Sequence, residues 1–278
     1  MKITFDGASA AYGELDCFDL ARTLSCGQCF RFKPLPDGEW EGVARNRYIR
    51  LRQEGATLTV NGVGSEAEAQ EWAKYFDLER NYSAILEKLS SDGQLCDAAK
   101  RGRGIRILAQ EPWEALCSFI ISQNNNIPRI MKIVASLCAL FGDDLGDGHY
   151  SFPDAGRIAQ AGADGLASIR AGFRAKYIAD AARKVSDGEI SFDMIHHSTS
   201  DQAAAELKKI YGVGDKVAAC TLLYGFGMLD VFPVDVWVKR VIAKYYGDSF
   251  DASCFSPYAG IAQQYLFFRE RSLTSCNT

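Results

Sequence analysis

The sequence predicts an α+β fold: an N-terminal antiparallel β-sheet domain followed by a larger, all-helical domain. Three observations predict it. Through about residue 62, apolar and polar residues alternate between turn signals. At Ser65 the apolar spacing changes to that of a helix. Helical texture then runs to the C-terminus, with no low-complexity segment and no internal repeat. The boundary is placed after residue 98, giving a sheet domain with a flanking helix over 1–98 and helical domains over 99–278.

In chain order, Pro36-Asp37-Gly38 and Glu54-Gly55 are turns beside the alternating runs 48–52 and 56–60, which makes an antiparallel meander. Ser65 and Glu68 have capping-box spacing, and residues 65–91 behind them read as helical. Residues 111–123 form an apolar helix, and 127–141 another that Gly142 ends. A polar loop covers 143–156. Further helices are expected over 174–188, 200–210, 216–227, 235–246 and 256–271.

Composition narrows the class. The chain has 278 residues, 47% hydrophobic and 24% charged, which is the makeup of a globular protein with a core of its own. No stretch of about 18 uncharged apolar residues predicts a transmembrane helix. The N-terminus reaches acidic residues before any long apolar run and does not read as a signal peptide. Nine cysteines without such a signal imply a reducing compartment and free thiols.

The net charge of −4 argues against a protein that is basic throughout, yet charge is unevenly placed. Residues 1–99 carry 11 basic and 16 acidic side chains, and the rest of the chain 20 and 19. The later cations are clumped: Lys100, Arg101, Arg103 and Arg106; then Arg170, Arg174, Lys176, Arg183 and Lys184; then Lys208, Lys209, Lys216, Lys239, Arg240 and Lys244. One such cluster is a solvated helix face. Three in one part of the chain suggest an anionic partner.

The most patterned segment is 207–240. Between helices ending at Ile210 and starting near Asp215 stands Gly212-Val213-Gly214. Glycines there turn the chain sharply and leave amide N–H groups uncovered at a helix N-terminus, where the dipole favours an anion. Such a helix-hairpin-helix, spanning about 205–220, would bind phosphate without reading base sequence. A plain αα-turn is the alternative, and the context L-x-x-I-x-G-V-G-x-K-V-A disfavours it. Lys216 is either a nucleophilic amine able to attack a sugar C1′ or one more phosphate contact. Asp235, in the loop 230–240, is an N-cap candidate. The same carboxylate could stabilise positive charge developing on a sugar, and the two roles are compatible.

Gly212-Val213-Gly214-Asp215-Lys216-Val217-Ala218-Ala219-Cys220, followed by Val231-Phe232-Pro233-Val234-Asp235, resembles the helix-hairpin-helix DNA glycosylases that carry a Gly/Pro-rich loop and a catalytic aspartate. Within them it is most similar to the 8-oxoguanine DNA glycosylase/lyases. Ser25-Cys26-Gly27-Gln28-Cys29-Phe30-Arg31, Ser118-Phe119-Ile120 with Gln123-Asn124-Asn125-Asn126-Ile127-Pro128-Arg129-Ile130, Gly172-Phe173-Arg174-Ala175-Lys176-Tyr177, and Pro257-Tyr258-Ala259-Gly260-Ile261-Ala262-Gln263 through Phe267 resemble further family stretches in the same order. Together they run from about residue 20 to residue 268.

The resemblance implies roles. Lys216 would attack C1′, expel the base and leave a Schiff base, after which β-elimination cuts the strand. Asp235 would be the catalytic aspartate. The Gly27 carbonyl would accept from the N7–H that 8-oxoguanine has and guanine lacks, in a flipped-out pocket. Gln263 would hold the Watson–Crick edge, with Cys220 and Phe267 on the two sides of the base. Asn124, Arg129 and Arg174 would read the orphaned cytosine, and Phe173 would be the wedge. Gly212 and Gly214 would contact the backbone. It further implies duplex DNA containing oxidised guanine as partner, a monomer, no cofactor, no metal and no membrane. Location would be cytoplasmic and nucleoid-associated if the source is a prokaryote.

Some positions depart from the pattern. Trp237 stands where many relatives have His, which puts one phosphate contact in doubt. Cys29 and Phe32 replace a Ser and a Trp. The pair Cys26 and Cys29 lacks the βαβ context of a redox motif and the further ligands of a zinc site. His196 and His197 read as surface residues. Cys254 and Cys276 are too few for an iron–sulfur cluster. A helix-hairpin-helix glycosylase for another lesion, and a catalytically dead DNA-binding module, are the alternatives. Lys216 with Asp235 disfavours the second, and Gln263 with Phe267 the first.

Overall fold

The computed structural model describes residues 1–275, so Cys276 lies outside the described residues. Strands β1 (Lys2–Phe5), β2 (Ser9–Gly13), β3 (Phe32–Pro34), β4 (Trp40–Ala44), β5 (Arg47–Glu54) and β6 (Thr57–Asn61) form one six-stranded sheet, in the order β1-β2-β6-β5-β4-β3. The antiparallel β2–β6 pair sets Ala10 against Val60 and Tyr12 against Leu58. All four side chains are buried, which is the period-2 rule with one face on the core. The tight β4–β5 turn places both Arg45 and Asn46 at positive φ, as a two-residue hairpin loop requires.

The helices are α1 (Leu20–Ser25), α2 (Glu66–Tyr75), α3 (Tyr82–Leu89) and α4 (Gly93–Arg101), then α5 (Pro112–Ser122), α6 (Ile127–Phe141), α7 (Ala155–Gly165), α8 (Arg174–Ser186), α9 (Phe192–His196), α10 (Ser200–Leu207) and α11 (Asp215–Phe226), then α12 (Val236–Tyr245) and α13 (Ala259–Ser275). Contacts divide the chain into two compact units. One comprises residues 1–28, 51–109 and 227 onward. The other comprises 29–50 and 110–226.

Three local readings change. The stretch 65–91 is two helices, because Asp77 takes a positive φ and the Asn81 side chain caps a new start by accepting from the Ala84 amide. Glu68 accepts from the Gly64 amide (2.8 Å) instead of completing a reciprocal box with Ser65. The polar loop holds a small hairpin, β7 (Asp144–Gly146) with β8 (His149–Tyr150), turned by Asp147 and Gly148 at positive φ.

The core of the first unit is pinned by Arg106, which the sequence groups with Lys100, Arg101 and Arg103 but which the fold places inside. It is 1% exposed and lies over the Tyr82 ring at 4.6 Å. Its Nη1 donates to the carbonyls of Asp77 (2.6 Å) and Arg80 (2.8 Å), and its Nη2 to that of Asp16. One guanidinium thus ties the start of the chain to the α2–α3 connection. Burial lowers its pKa from the ordinary arginine value. Among the described residues, the eight cysteines form no disulfide, no group of His, Cys, Asp and Glu is arranged to hold a metal ion, and no helix is long and apolar enough to cross a membrane.

Arg106→Met leaves three part-buried carbonyls without their donor. The unfolding free energy is expected to fall by about 3–5 kcal/mol, read from urea denaturation; a change under about 1 kcal/mol would show that these bonds are replaceable.

Candidate functional site

Eight of the expected site residues lie in the second unit, beginning with an antiparallel helix pair. Gly225, near the end of α11, lets α11 approach the start of α5: a Cβ there would stand 3.0 Å from Pro112 Cα and 3.2 Å from Ala115 Cβ. At the other end of the pair, Lys216 Nζ donates to Ser122 Oγ at 2.7 Å. The ammonium also lies 5.2 Å from the centre of the Phe119 ring, which stacks on Tyr224. Lys216 is half-buried. Cys220, four residues on and therefore on the same face of α11, is buried.

The turn joining α5 to α6 separates three asparagines that look alike in sequence. Asn126 caps α6, its Oδ1 accepting from the Arg129 amide (3.0 Å). Asn125 Nδ2 donates to the Ile121 carbonyl (3.1 Å) and its Oδ1 accepts from the Asn126 amide. Asn124 sits at φ 47°, exposed, and its side chain makes no hydrogen bond to the other described residues. Arg174 holds this turn from the start of α8. Its Nε donates to the Gln123 carbonyl (2.7 Å), its Nη2 to those of Gln123 and Asn124, and its Nη1 to that of Ala171. Four of the five guanidinium protons are used. The side chain is 3% exposed, and burial, with the nearby positive charge of Arg129, lowers its pKa. Arg129 is exposed.

One face of α8 also braces the glycine hairpin. Phe173, at its N-terminus, is half exposed and lies 4.4 Å under the Arg174 guanidinium. Tyr177 packs edge-on against Phe173 and against exposed Tyr211. Asp180 accepts from the Tyr211 amide (2.7 Å), and Lys184 donates to the Lys209 carbonyl. Burial acts against the charge on Asp180, but the Tyr211 amide and Lys184 outweigh it and hold the carboxyl below its ordinary value. Gly212, at φ 79°, must be glycine: a Cβ would stand 2.4 Å from the Tyr177 ring. Gly214 is exposed, with open space where a Cβ would stand.

The other four expected residues lie in the first unit. Gly27 has φ 89° in a loop knitted by its neighbours. Buried Gln28 donates to the carbonyls of Thr23 (2.9 Å) and Arg106 (2.7 Å) and accepts from the Leu108 amide. Gln264 of α13 donates to the Cys26 carbonyl (3.2 Å) and so binds α13 to this loop. Gln263 and Phe267 stand one turn apart on α13. Gln263 is 4% exposed, and its Oε1 is a buried acceptor without a partner among the described residues. Asp235 is the N-cap of α12, accepting from the amides of Trp237 and Val238, both at 2.9 Å. Both bonds end on Oδ1, so capping leaves Oδ2 uncommitted. The Trp237 ring carries the Arg240 guanidinium at 4.8 Å.

Ser122, Tyr177, Asp180 and Gln264 were not singled out from the sequence. Tyr177 and Gln264 adjoin or lie inside recognised motifs, so position alone marks them. Ser122 carried one signal, a polar residue closing an apolar helix.

Two family models match consecutive parts of the chain: "8-oxoguanine DNA glycosylase, N-terminal domain" over residues 13–116 and "HhH-GPD superfamily base excision DNA repair protein" over 117–252. The N-glycosylase/DNA lyase of Saccharomyces cerevisiae is 35% identical over 258 residues, covering 82% of this chain and 68% of that protein. Among solved structures, the Clostridium acetobutylicum 8-oxoguanine glycosylase/lyase in complex with duplex DNA containing cytosine opposite 8-oxoguanine is 32% identical, with a TM-score of 0.92 over 99% of each chain. MBOgg1 in complex with a low-affinity DNA ligand is 39% identical, with a TM-score of 0.93 over 98% of this chain and 99% of that one.

The two hairpin glycines should respond differently to alanine. Gly212→Ala meets the Tyr177 ring and a strained φ, and is expected to cost about 2–3 kcal/mol. Gly214→Ala meets nothing and should cost under about 1 kcal/mol. Thermal unfolding separates them, and equal losses would remove the Tyr177 contact as the reason for Gly212.

Proposed function

The chain belongs to the 8-oxoguanine DNA glycosylases of the HhH-GPD superfamily, and from that footing we propose that it removes 8-oxoguanine from duplex DNA, preferably opposite cytosine, and then cuts the strand as an abasic-site lyase. The observation that carries the proposal is the placing of Lys216: an amine directly after a glycine hairpin, half-buried, held by a hydroxyl and an aromatic face. A lysine serving only as a phosphate contact needs no such holder.

In the proposed reaction, Lys216 Nζ forms a bond to C1′ while the C1′–N9 bond breaks, its electron pair leaving with the base, which takes up a proton. Sugar ring opening gives a Schiff base. Loss of a C2′ proton then expels the 3′ phosphate by β-elimination. Asp235 Oδ2 stabilises positive charge on the sugar, while Oδ1 keeps the start of α12 in place.

Gly27 reads the lesion with its carbonyl, aided by a loop that Gln28 and Gln264 keep rigid. The lone acceptor of Gln263 takes a donor from the base's Watson–Crick edge, where leaving it unpaired costs about 1–3 kcal/mol. Cys220 and Phe267 flank the base. Asn124 and Arg129, exposed and unspent, read the cytosine. Arg174 holds their turn with four protons and offers the cytosine its fifth. Phe173 wedges the stack, and Gly212 and Gly214 admit the backbone to the hairpin amides. Residues 1–98 then act as scaffold apart from Gly27, with the remaining chemistry in 99–278. The reading also takes the protein as a monomer, cytoplasmic and nucleoid-associated if prokaryotic.

Borohydride trapping on an 8-oxoguanine:cytosine duplex tests the chemistry. Wild type is expected to give a covalent adduct and Lys216→Gln none; no adduct from either sinks the mechanism. Asp235→Asn should bind the duplex normally and excise at least about 100-fold more slowly. Rates with cytosine opposite the lesion should exceed those with adenine, guanine or thymine, and equal rates would remove cytosine reading from Asn124, Arg129 and Arg174.

A further inference from the structure

We propose that Ser122 is a positioning residue for the nucleophile, holding one N–H of Lys216 so that the nitrogen lone pair is confined to a narrow range of directions. The inference rests on the reading of Lys216 as the attacking amine. A serine hydroxyl has one proton to give. Here that proton goes to the Phe119 carbonyl, three residues back in α5, at 2.8 Å. The oxygen lone pairs are all that remain for Lys216, so the 2.7 Å contact has a fixed sense: Lys216 donates and Ser122 accepts.

That sense matters for a lysine. Its four-carbon stem has many rotamers, and a free amine would aim its lone pair almost anywhere. With one N–H fixed to Ser122 and the Phe119 ring 5.2 Å away, the tetrahedral nitrogen keeps a narrow range of orientations before any substrate arrives. The ammonium and the free amine can both donate, so the same anchor serves both forms.

Ser122 does not act as the base. Taking the Lys216 proton would leave an oxygen with two protons, one already on a carbonyl that cannot accept it. The proton lost when Nζ bonds to C1′ must leave by another route, and the hydroxyl is unchanged through the step. Any hydroxyl in this place should therefore serve. The helix pair supplies the distance: Gly225 lets α5 and α11 close at one end, and the serine meets the lysine at the other.

A duplex carrying a preformed abasic site tests the amine without requiring lesion recognition. Single-turnover borohydride trapping at saturating enzyme is compared for wild type, Ser122→Ala and Ser122→Thr, with duplex affinity and melting temperature measured alongside. Ser122→Ala is expected to form adduct about tenfold more slowly, with affinity within about twofold of wild type, and Ser122→Thr to recover most of the rate. An Ser122→Ala rate equal to wild type overturns the proposal, as does a deficit that threonine fails to restore or that tracks lost affinity or folding. Wild type that traps the abasic site but ignores 8-oxoguanine refutes the lesion assignment and leaves Ser122 standing. Wild type that traps neither refutes both.

Discussion

The close antiparallel contact of α5 with α11 is the constraint on which the placing of Lys216 depends. Two helices of ordinary side chains pack with axes about 8–10 Å apart. Gly225 removes a side chain where α11 meets Pro112 and Ala115, and the pair closes there. Lys216 and Ser122 then meet at the far end, and Cys220 is buried on the same face one turn along. The positions are fixed by backbone packing, which is stiff, instead of by the lysine stem, which is not.

Helix α8 extends that order to the surfaces on either side. Residues 173, 174, 177, 180 and 184 repeat at helical spacing and each engages the α5–α6 turn, the glycine hairpin or a ring beside them. Charge is used in two different ways along this face. Arg174 is internal and spends its protons on carbonyls, so it shapes the turn. Arg129 is exposed in the same neighbourhood, and its charge is left for the solvent side. A net charge of −4 is compatible with this, because the cations that matter are local and some that look superficial in sequence are structural.

Much of the site was legible because its signals are short-range. The Gly-Val-Gly hairpin, the capping role of Asp235 and the period change at Ser65 each lie within a few residues. What was not legible depends on distant partners. Ser122 meets Lys216 across 94 positions of sequence, and Gln264 meets Cys26 across 238. The three consecutive asparagines look equivalent until the helix cap and the Ile121 carbonyl claim two of them. Arg106 and Arg174 carry the composition of surface cations, and only the carbonyls that surround them reveal interior ones. The 65–91 break failed for a related reason: periodicity continues through it, while a single positive φ at Asp77 ends the helix.

The buried thiols have a chemical consequence of their own. Burial pushes Cys26 and Cys138 up to about 12, and lifts Cys117 well above the usual thiol value. Peroxides and disulfides react with the thiolate, and at neutral pH these groups supply almost none. The loop that carries Gly27 in the first unit, and the core of the second unit around Cys117 and Cys138, are each chemically passive toward oxidants. A protein whose substrate accumulates when oxidants are abundant keeps these sulfurs in the form those oxidants attack least.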